Sequence, residues 1–386
     1  MQFLDSLCVK LLSLLFIGDR LFIGEMRSYT HFQKSDKNLI ETYMKNFLTF
    51  SILSTATFIL SFPFLQAEAV PNNNQSFVQL CLKKNSLPAE TKKTVEVLLK
   101  KAGTQDCKLA DAKLNSLSVL NLGHTEISDL KPLAGLTNLK GIQLNGNQIS
   151  NLKPLVGLTQ LTQISLEKNQ ISDLEPLTGL TNLADINLSH NQISDLSPLA
   201  KLTGLRWLWL SENQISDLKP LAELTNLTRL HLSHNQISDL KPLARMTNLP
   251  RLLLANNQIS DLKPLAGLTN LTTVWLPNNQ IRNVKPLAGL TQLTEISLAN
   301  NQISDLKPLE RLKSLVYLYL DSNQIKDIKS LVGLTKLSDL SLSRNPIREI
   351  KPLSSLTNLL RLELSKDQII EEICPIKPEY LCWVTD

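Results

Sequence analysis

From Leu114 to Ser355 the chain repeats one 22-residue pattern of apolar and polar positions eleven times without a gap, and a twelfth, incomplete copy runs from Leu356 to about Ile370. In the copy that starts at Leu224 the apolar positions are Leu224, Leu227, Leu230, Leu232, Ile237, Leu240 and Leu243; the other complete copies keep aliphatic residues at all seven. Around Leu230-His231-Leu232 the pattern alternates in and out, which predicts a short strand. Twelve such strands side by side make a parallel sheet advancing about 4.8 Å per copy, roughly 50 Å in all. One copy alone would leave two apolar faces in water. Stacking covers both, so the copies are expected to form one cooperative solenoid rather than eleven domains.

The polar positions support the same architecture. Asn147, Asn169, Asn191, Asn213, Asn235, Asn257, Asn279, Asn301, Asn323 and Asn345 occupy one position of successive copies, where the chain must turn inward after the strand. An amide donates and accepts, so a buried column of them can satisfy turning backbone groups. The column departs to Thr125 in the first copy and Asp367 in the last. On the far side the copies read ISDLKPL. Its Asp and Lys columns largely cancel and predict a solvated surface, and its Pro column permits a 3₁₀ turn while discouraging a long helix. The spacing L-x-x-L-x-x-L-x-L-x-x-N-x-I is that of a leucine-rich repeat. The predicted fold is an α/β repeat solenoid, a right-handed horseshoe with its parallel sheet on the concave face, short turns on the convex face and a helical N-terminal cap.

The flanks divide into four segments. All ten Phe residues precede residue 78. Met44-Lys45-Asn46, the uncharged run Phe47 to Gln66 and Ala67-Glu68-Ala69 have the three regions of a secretory signal peptide cleaved after Ala69. Segment 44–69 is read as that signal, with a signal anchor as the alternative, and 1–43 as a mis-assigned upstream extension. Cleavage would leave no stable membrane insertion and a secreted, periplasmic or envelope location. It would also leave four cysteines. Cys81 and Cys107 fall in the N-terminal cap (70–113), and Cys374 and Cys382 in the C-terminal cap (371–386) beyond repeats spanning 114–370. An even number in two end pairs predicts two local disulfides. Zinc is disfavoured, because the pairs lie at opposite ends and neither is C-x-x-C. Between the first pair, Val95, Leu98, Leu99 and Ala102 share one helical face stopped by Gly103, a lid for the first copy. Pro375, Pro378, Tyr380 and Trp383 are expected to cover Leu362 and Leu364.

A net charge of +5, evenly spread, does not argue for nucleic acid. No nucleotide, metalloprotease or hydrolase motif is present, and no cofactor or metal is expected. His231 and His234 have H-x-x-H spacing, but His190, in the column of His234, lies two copies away, roughly 10 Å. Glu167, Asp185, Glu295 and Asp339 read as surface charge without a nucleophile. The outward strand positions vary most. Between the two strand leucines, successive copies carry Asn121, Gln143, Ser165, Asn187, Trp209, His231, Leu253, Trp275, Ser297, Tyr319, Ser341 and Glu363. Two residues earlier stand Trp207, Arg229, Arg251 and Tyr317, with Arg206 adjacent. Outward aromatics beside Arg have the composition of binding hot spots; packing between neighbouring strands is the competing reading.

Repeats of the form LTNLxxLxLxxNQISDLKPLxG, over residues 114 to about 370, resemble those of the internalin family of secreted bacterial leucine-rich repeat proteins. The resemblance implies a curved solenoid whose concave face grips a protein partner. Internalins commonly continue into an immunoglobulin-like domain and a cell-wall anchoring signal, whereas this sequence stops at Asp386. Only the binding module carries over. The expectation is a non-enzymatic, monomeric, secreted scaffold for a protein ligand. An intracellular phosphatase regulatory subunit and a passive envelope component are the alternatives.

Overall fold

The computed structural model describes residues 76–368, 374–376 and 381–385. The signal reading, the upstream extension, Ile370, Pro378 and Tyr380 lie outside them. Each repeat contributes one short strand: β1 (Val119–Asn121), β2 (Gly141–Gln143), β3 (Gln163–Ser165), β4 (Asp185–Asn187), β5 (Trp207–Trp209), β6 (Arg229–His231), β7 (Arg251–Leu253), β8 (Thr273–Trp275), β9 (Glu295–Ser297), β10 (Tyr317–Tyr319), β11 (Asp339–Ser341) and β12 (Arg361–Ser365). A further strand, β13 (Cys382–Thr385), closes the series. Among the described residues the strands form one sheet in chain order, parallel throughout, with thirteen strands rather than the twelve expected from the repeats. The register repeats faithfully: Leu208 pairs with Leu230 and Trp209 with His231. A residue's column in the sequence is therefore its column on the sheet.

The seven aliphatic columns form one continuous core, most of its members fully buried. Opposite the strands each repeat makes a 3₁₀ turn, such as Lys241–Leu243 with Pro242 early in it. Here the Asp column does more than solvate. Asp239 Oδ1 accepts from the Lys241 backbone N–H at 2.9 Å, and the same bond recurs from Asp129 at 3.0 Å through Asp327 at 2.9 Å, with Asn151 and Asn283 substituting. A short side chain that accepts from the residue two positions on starts each turn.

The asparagine column forms the expected ladder. Asn257 Oδ1 accepts from Ile237 N in the preceding repeat at 2.9 Å, while its Nδ2 donates to Leu232 O at 3.0 Å and Leu254 O at 3.2 Å. The residue just before each Asn has positive φ, for example 57° at His234 and 54° at Asn256, and so aims the amide inward. The composition of this left-handed column partly signals it: Gly146, Asn256, Asn278, Asn300 and three His suit positive φ, whereas Lys168, Glu212, Ser322 and Arg344 do not. At the first repeat Thr125 Oγ1 donates to Leu122 O at 2.8 Å in place of the amide. At the last, the ladder role passes to the next residue: Gln368 Nε2 donates to Leu342 O at 3.0 Å and Asn345 O at 2.8 Å.

Among the described residues three α-helices precede β1, where the sequence predicts one: α1 (Phe77–Leu82), α2 (Ala89–Ala102) and α3 (Cys107–Asn115). Helix α2 buries Val95, Leu98, Leu99 and Ala102 and ends at left-handed Gly103, as the periodicity indicates. Thr94 Oγ1 donates to Asp129 O at 2.7 Å and fixes this lid on the first turn. Cys81 is bonded to Cys107, tying α1 to the start of α3, and Cys374 is bonded to Cys382, at sequence separations of 26 and 8. At the far end Trp383 does not join the expected cover. Trp383 is 60% exposed in β13, opposite Glu363, because the tail adds a strand to the sheet edge instead of folding over it. Cys374 and Ile376 fill the end of the core.

Replacing Cys81 and Cys107 together by alanine should destabilise the N-terminal end by up to about 3.5 kcal/mol, the loop-closure contribution for a bridge of this span. Thermal melts of the paired variant should shift down clearly. Four titratable thiols in the unreduced protein would contradict the pairing.

Candidate protein-binding face

The core leucines point behind the sheet, so the alternate strand residues have no interior to enter and line the opposite face. Strand register places Trp209, His231, Leu253 and Trp275 side by side on β5 to β8, with Trp207, Arg229 and Arg251 forming the neighbouring column. Adjacent outward side chains stand about 5 Å apart, which makes these one patch. Trp207, Trp209, His231, Leu253, Trp275 and Tyr319 are half-buried, whereas Arg206, Arg229, Arg251 and Tyr317 are exposed.

The aromatics also hold one another. Trp207 and Trp209 meet edge to face with centroids 5.8 Å apart, and Trp209 meets His231 in the same way at 5.8 Å. The Arg229 guanidinium lies 4.2 Å above the Trp207 ring. Farther along, Trp275 and Tyr319 approach to 5.9 Å across Ser297, which is only 2% exposed. The competing reading, packing between strands, thus describes part of what these rings do. It does not remove them from the surface: rings fixed by neighbours but half open to solvent lose little side-chain entropy when a partner covers them.

Trp383 continues the outward column on β13, with the Arg361 guanidinium 5.4 Å above its ring. The sequence reading missed this residue because β13 has no repeat signature. It also understated the acids. Asp185 accepts from Gln163 Nε2 at 3.0 Å, and burial raises its pKa despite Arg206 and Arg229 nearby. Burial likewise raises the pKa of Asp339, whose Oδ1 is enclosed without a hydrogen-bond partner among the described residues. Neither is a simply solvated charge. The two histidines of the H-x-x-H spacing diverge: His231 packs on Trp209, while His234 Nε2 lies 3.1 Å from Asn256 Nδ2. Among the described residues no group of three or more His, Cys, Asp or Glu could hold a metal ion, and no helix is long and apolar enough to cross a membrane.

Burial, reinforced by Arg229 and Arg251, holds the His231 imidazole below its ordinary range. The unfolded chain therefore takes up this proton first, so the contribution of His231 to stability falls as pH drops from about 7 through the ordinary value of about 6.5 toward the folded-state value. Arg251→Ala should raise the His231 midpoint in an NMR titration of its ring protons. An unmoved midpoint would mean that the two side chains do not share a field.

The family model for leucine-rich repeats in pairs of copies matches residues 115–157, 159–201, 203–245, 247–289 and 291–333. An internalin, inlF, from Listeria monocytogenes is 32% identical with TM-score 0.62, over 76% of this chain and 90% of its own. Internalin C2 from the same organism is 37% identical with TM-score 0.50, over 53% of this chain and 91% of its own. The ectodomain of the plant receptor kinase GASSHO1/SCHENGEN3 from Arabidopsis thaliana, solved in complex with CASPARIAN STRIP INTEGRITY FACTOR 2, shares the fold at 24% identity and TM-score 0.56, over 66% of this chain and 34% of its own. No curated protein matches the chain.

Proposed function

Since the chain belongs to the leucine-rich repeat family, with internalins among its relatives, we propose that it is a secreted, non-enzymatic scaffold that binds a protein partner on the outward face of its sheet. The observation that carries this reading is the contiguous run Trp209, His231, Leu253 and Trp275, flanked by Arg206, Trp207, Arg229 and Arg251, over a core that leucines already fill. Large rings aimed away from a complete core contribute little to folding and have the composition of interface anchors. Tyr317 and Tyr319 extend the surface toward the C-terminal repeats.

Secretion follows from the signal-like segment 44–69 and agrees with the two end disulfides, which need an oxidising compartment. The mature chain is expected to begin at Val70 and to act as a monomer. N-terminal sequencing of the native protein checks the first point; Met1 on a cytosolic species would exclude it. For the binding role, the mature protein is used as bait in affinity capture, beside a variant carrying Trp209→Ala and Trp275→Ala. A partner retained by the native protein and lost by the variant is the expected result. Equal retention by both would move binding off this face.

A further inference from the structure

Beside the aromatic patch the same sheet face changes character. Over β1 to β4 its outward residues are mostly amides and hydroxyls, and two hollows meet there against Trp207. One, of about 250 Å³, is lined by Val119, Gly141, Gln143, Ser165, Asn187 and Trp209. The other is bordered by Gly204, Arg206, Asn226 and Thr228. Gln163, Asp185 and Trp207 border both.

We infer that these hollows form a carbohydrate-binding subsite, with Trp207 as the platform for a pyranose ring and Asp185, Gln163, Asn187 and Asn226 as the groups that read its hydroxyls. A sugar ring has a face of C–H bonds and a rim of hydroxyls that each donate and accept. Its complement is an aromatic ring, which offers an apolar surface, surrounded by side chains able to do both. This lining has that composition. An apolar protein side chain would leave the amides unpaired, which costs affinity. An anion would need cations, and Arg206 here is balanced by Asp185.

One departure from the repeat opens the space. It is not Gly141, the one glycine in its outward strand column, because Val119 Cγ2 lies 3.4 Å from where a Cβ on it would stand and fills that place. Gly204 stands where several repeats place an Asn that donates to a carbonyl one repeat back, as Asn182 does to Thr159 O at 2.9 Å and Asn226 to Thr203 O at 3.0 Å. The carbonyl that an Asn at 204 would take, Thr181 O, lies 3.9 Å from where a Cβ on Gly204 would stand. The missing side chain thus leaves room and an acceptor at one place. The subsite is also held in shape: Gln163 Nε2 is bonded to Asp185 at 3.0 Å, and Arg229 rests on Trp207 at 4.2 Å.

The inference does not rest on the protein-partner reading, and its test separates the two. The mature chain is titrated with cellohexaose, chitohexaose, laminarihexaose, mannohexaose and xylohexaose, each to about 10 mM, well above a millimolar Kd. Tryptophan fluorescence and calorimetry report binding. At least one probe should give a saturable response, weakened about tenfold or more by Gln163→Ala through the lost hydrogen bond and abolished by Trp207→Ala, but unchanged by Trp275→Ala. Gln163 is exposed, so its truncation leaves the fold intact. A parallel titration with a high-mannose glycoprotein, before and after enzymatic deglycosylation, tells a protein-borne glycan from a free chain; saturable binding to either supports the subsite. Absence of a saturable response to every probe overturns it. So does a response that survives both Gln163→Ala and Trp207→Ala.

Discussion

Asn257→Ala is expected to destabilise the solenoid by about 2 to 4 kcal/mol, more than its loss of a few atoms suggests. The side chain is 8% exposed and serves three buried backbone groups at once: Ile237 N, Leu232 O and Leu254 O. Alanine orphans Ile237 N, which costs about 1 to 3 kcal/mol, and removes one bond from each carbonyl, which keep Asn235 Nδ2 and Asn279 Nδ2 as donors. Asn257→Asp separates the roles. It keeps the acceptor for Ile237 but turns a carboxylate toward two carbonyls, so at neutral pH it should be as damaging as alanine. Asp239→Ala removes one exposed bond on the opposite side of the repeat and should cost under about 1 kcal/mol. Denaturant titrations of the three variants provide the comparison, and a loss near that of Asp239→Ala for Asn257→Ala would show that the ladder is not what holds the repeats together.

Trp275→Ala and Trp209→Ala carry the second large effect, on binding rather than stability. Truncating a central aromatic anchor typically costs about 2 kcal/mol or more, roughly thirtyfold in affinity. Because both rings touch aromatic neighbours, each truncation should also lower stability slightly, by about 0.5 to 1.5 kcal/mol for the ring contact. Lys241→Ala, on the turn side, should change neither. Titration calorimetry with the captured partner and parallel melts distinguish the outcomes. Trp variants that lose stability yet bind normally would establish these rings as packing alone.

How much of this could be read from the chain depends on whether a residue acts through its column. Leu230, Asn257 and Pro242 belong to columns that recur in nearly every repeat, so period and chemistry suffice to assign the strand, the ladder and the 3₁₀ turn. The outward position of Trp209 follows from the same alternation. What escaped depends on a residue's particular neighbours. Gln368 takes over the ladder one position late, in a 3₁₀ turn over Lys366–Gln368 that no spacing announces. Trp383 belongs to a strand formed by pairing with β12, with no repeat around it. Asp185 looked like surface charge because its neighbours Gln163 and Trp207 come from the repeats on either side, and local sequence does not encode such contacts.

Hydrogen exchange of the mature chain, free and saturated with its captured partner, tests the central claim most directly. Exchange reads the backbone of every repeat at once, without any substitution. Protection is expected to rise in peptides spanning β5 to β8, residues 207–275, above all in their strand segments, and to stay unchanged in the 3₁₀ turns such as Lys241–Leu243. Protection confined to those turns or to the helical cap, with the strands unaffected, would contradict binding on the aromatic face.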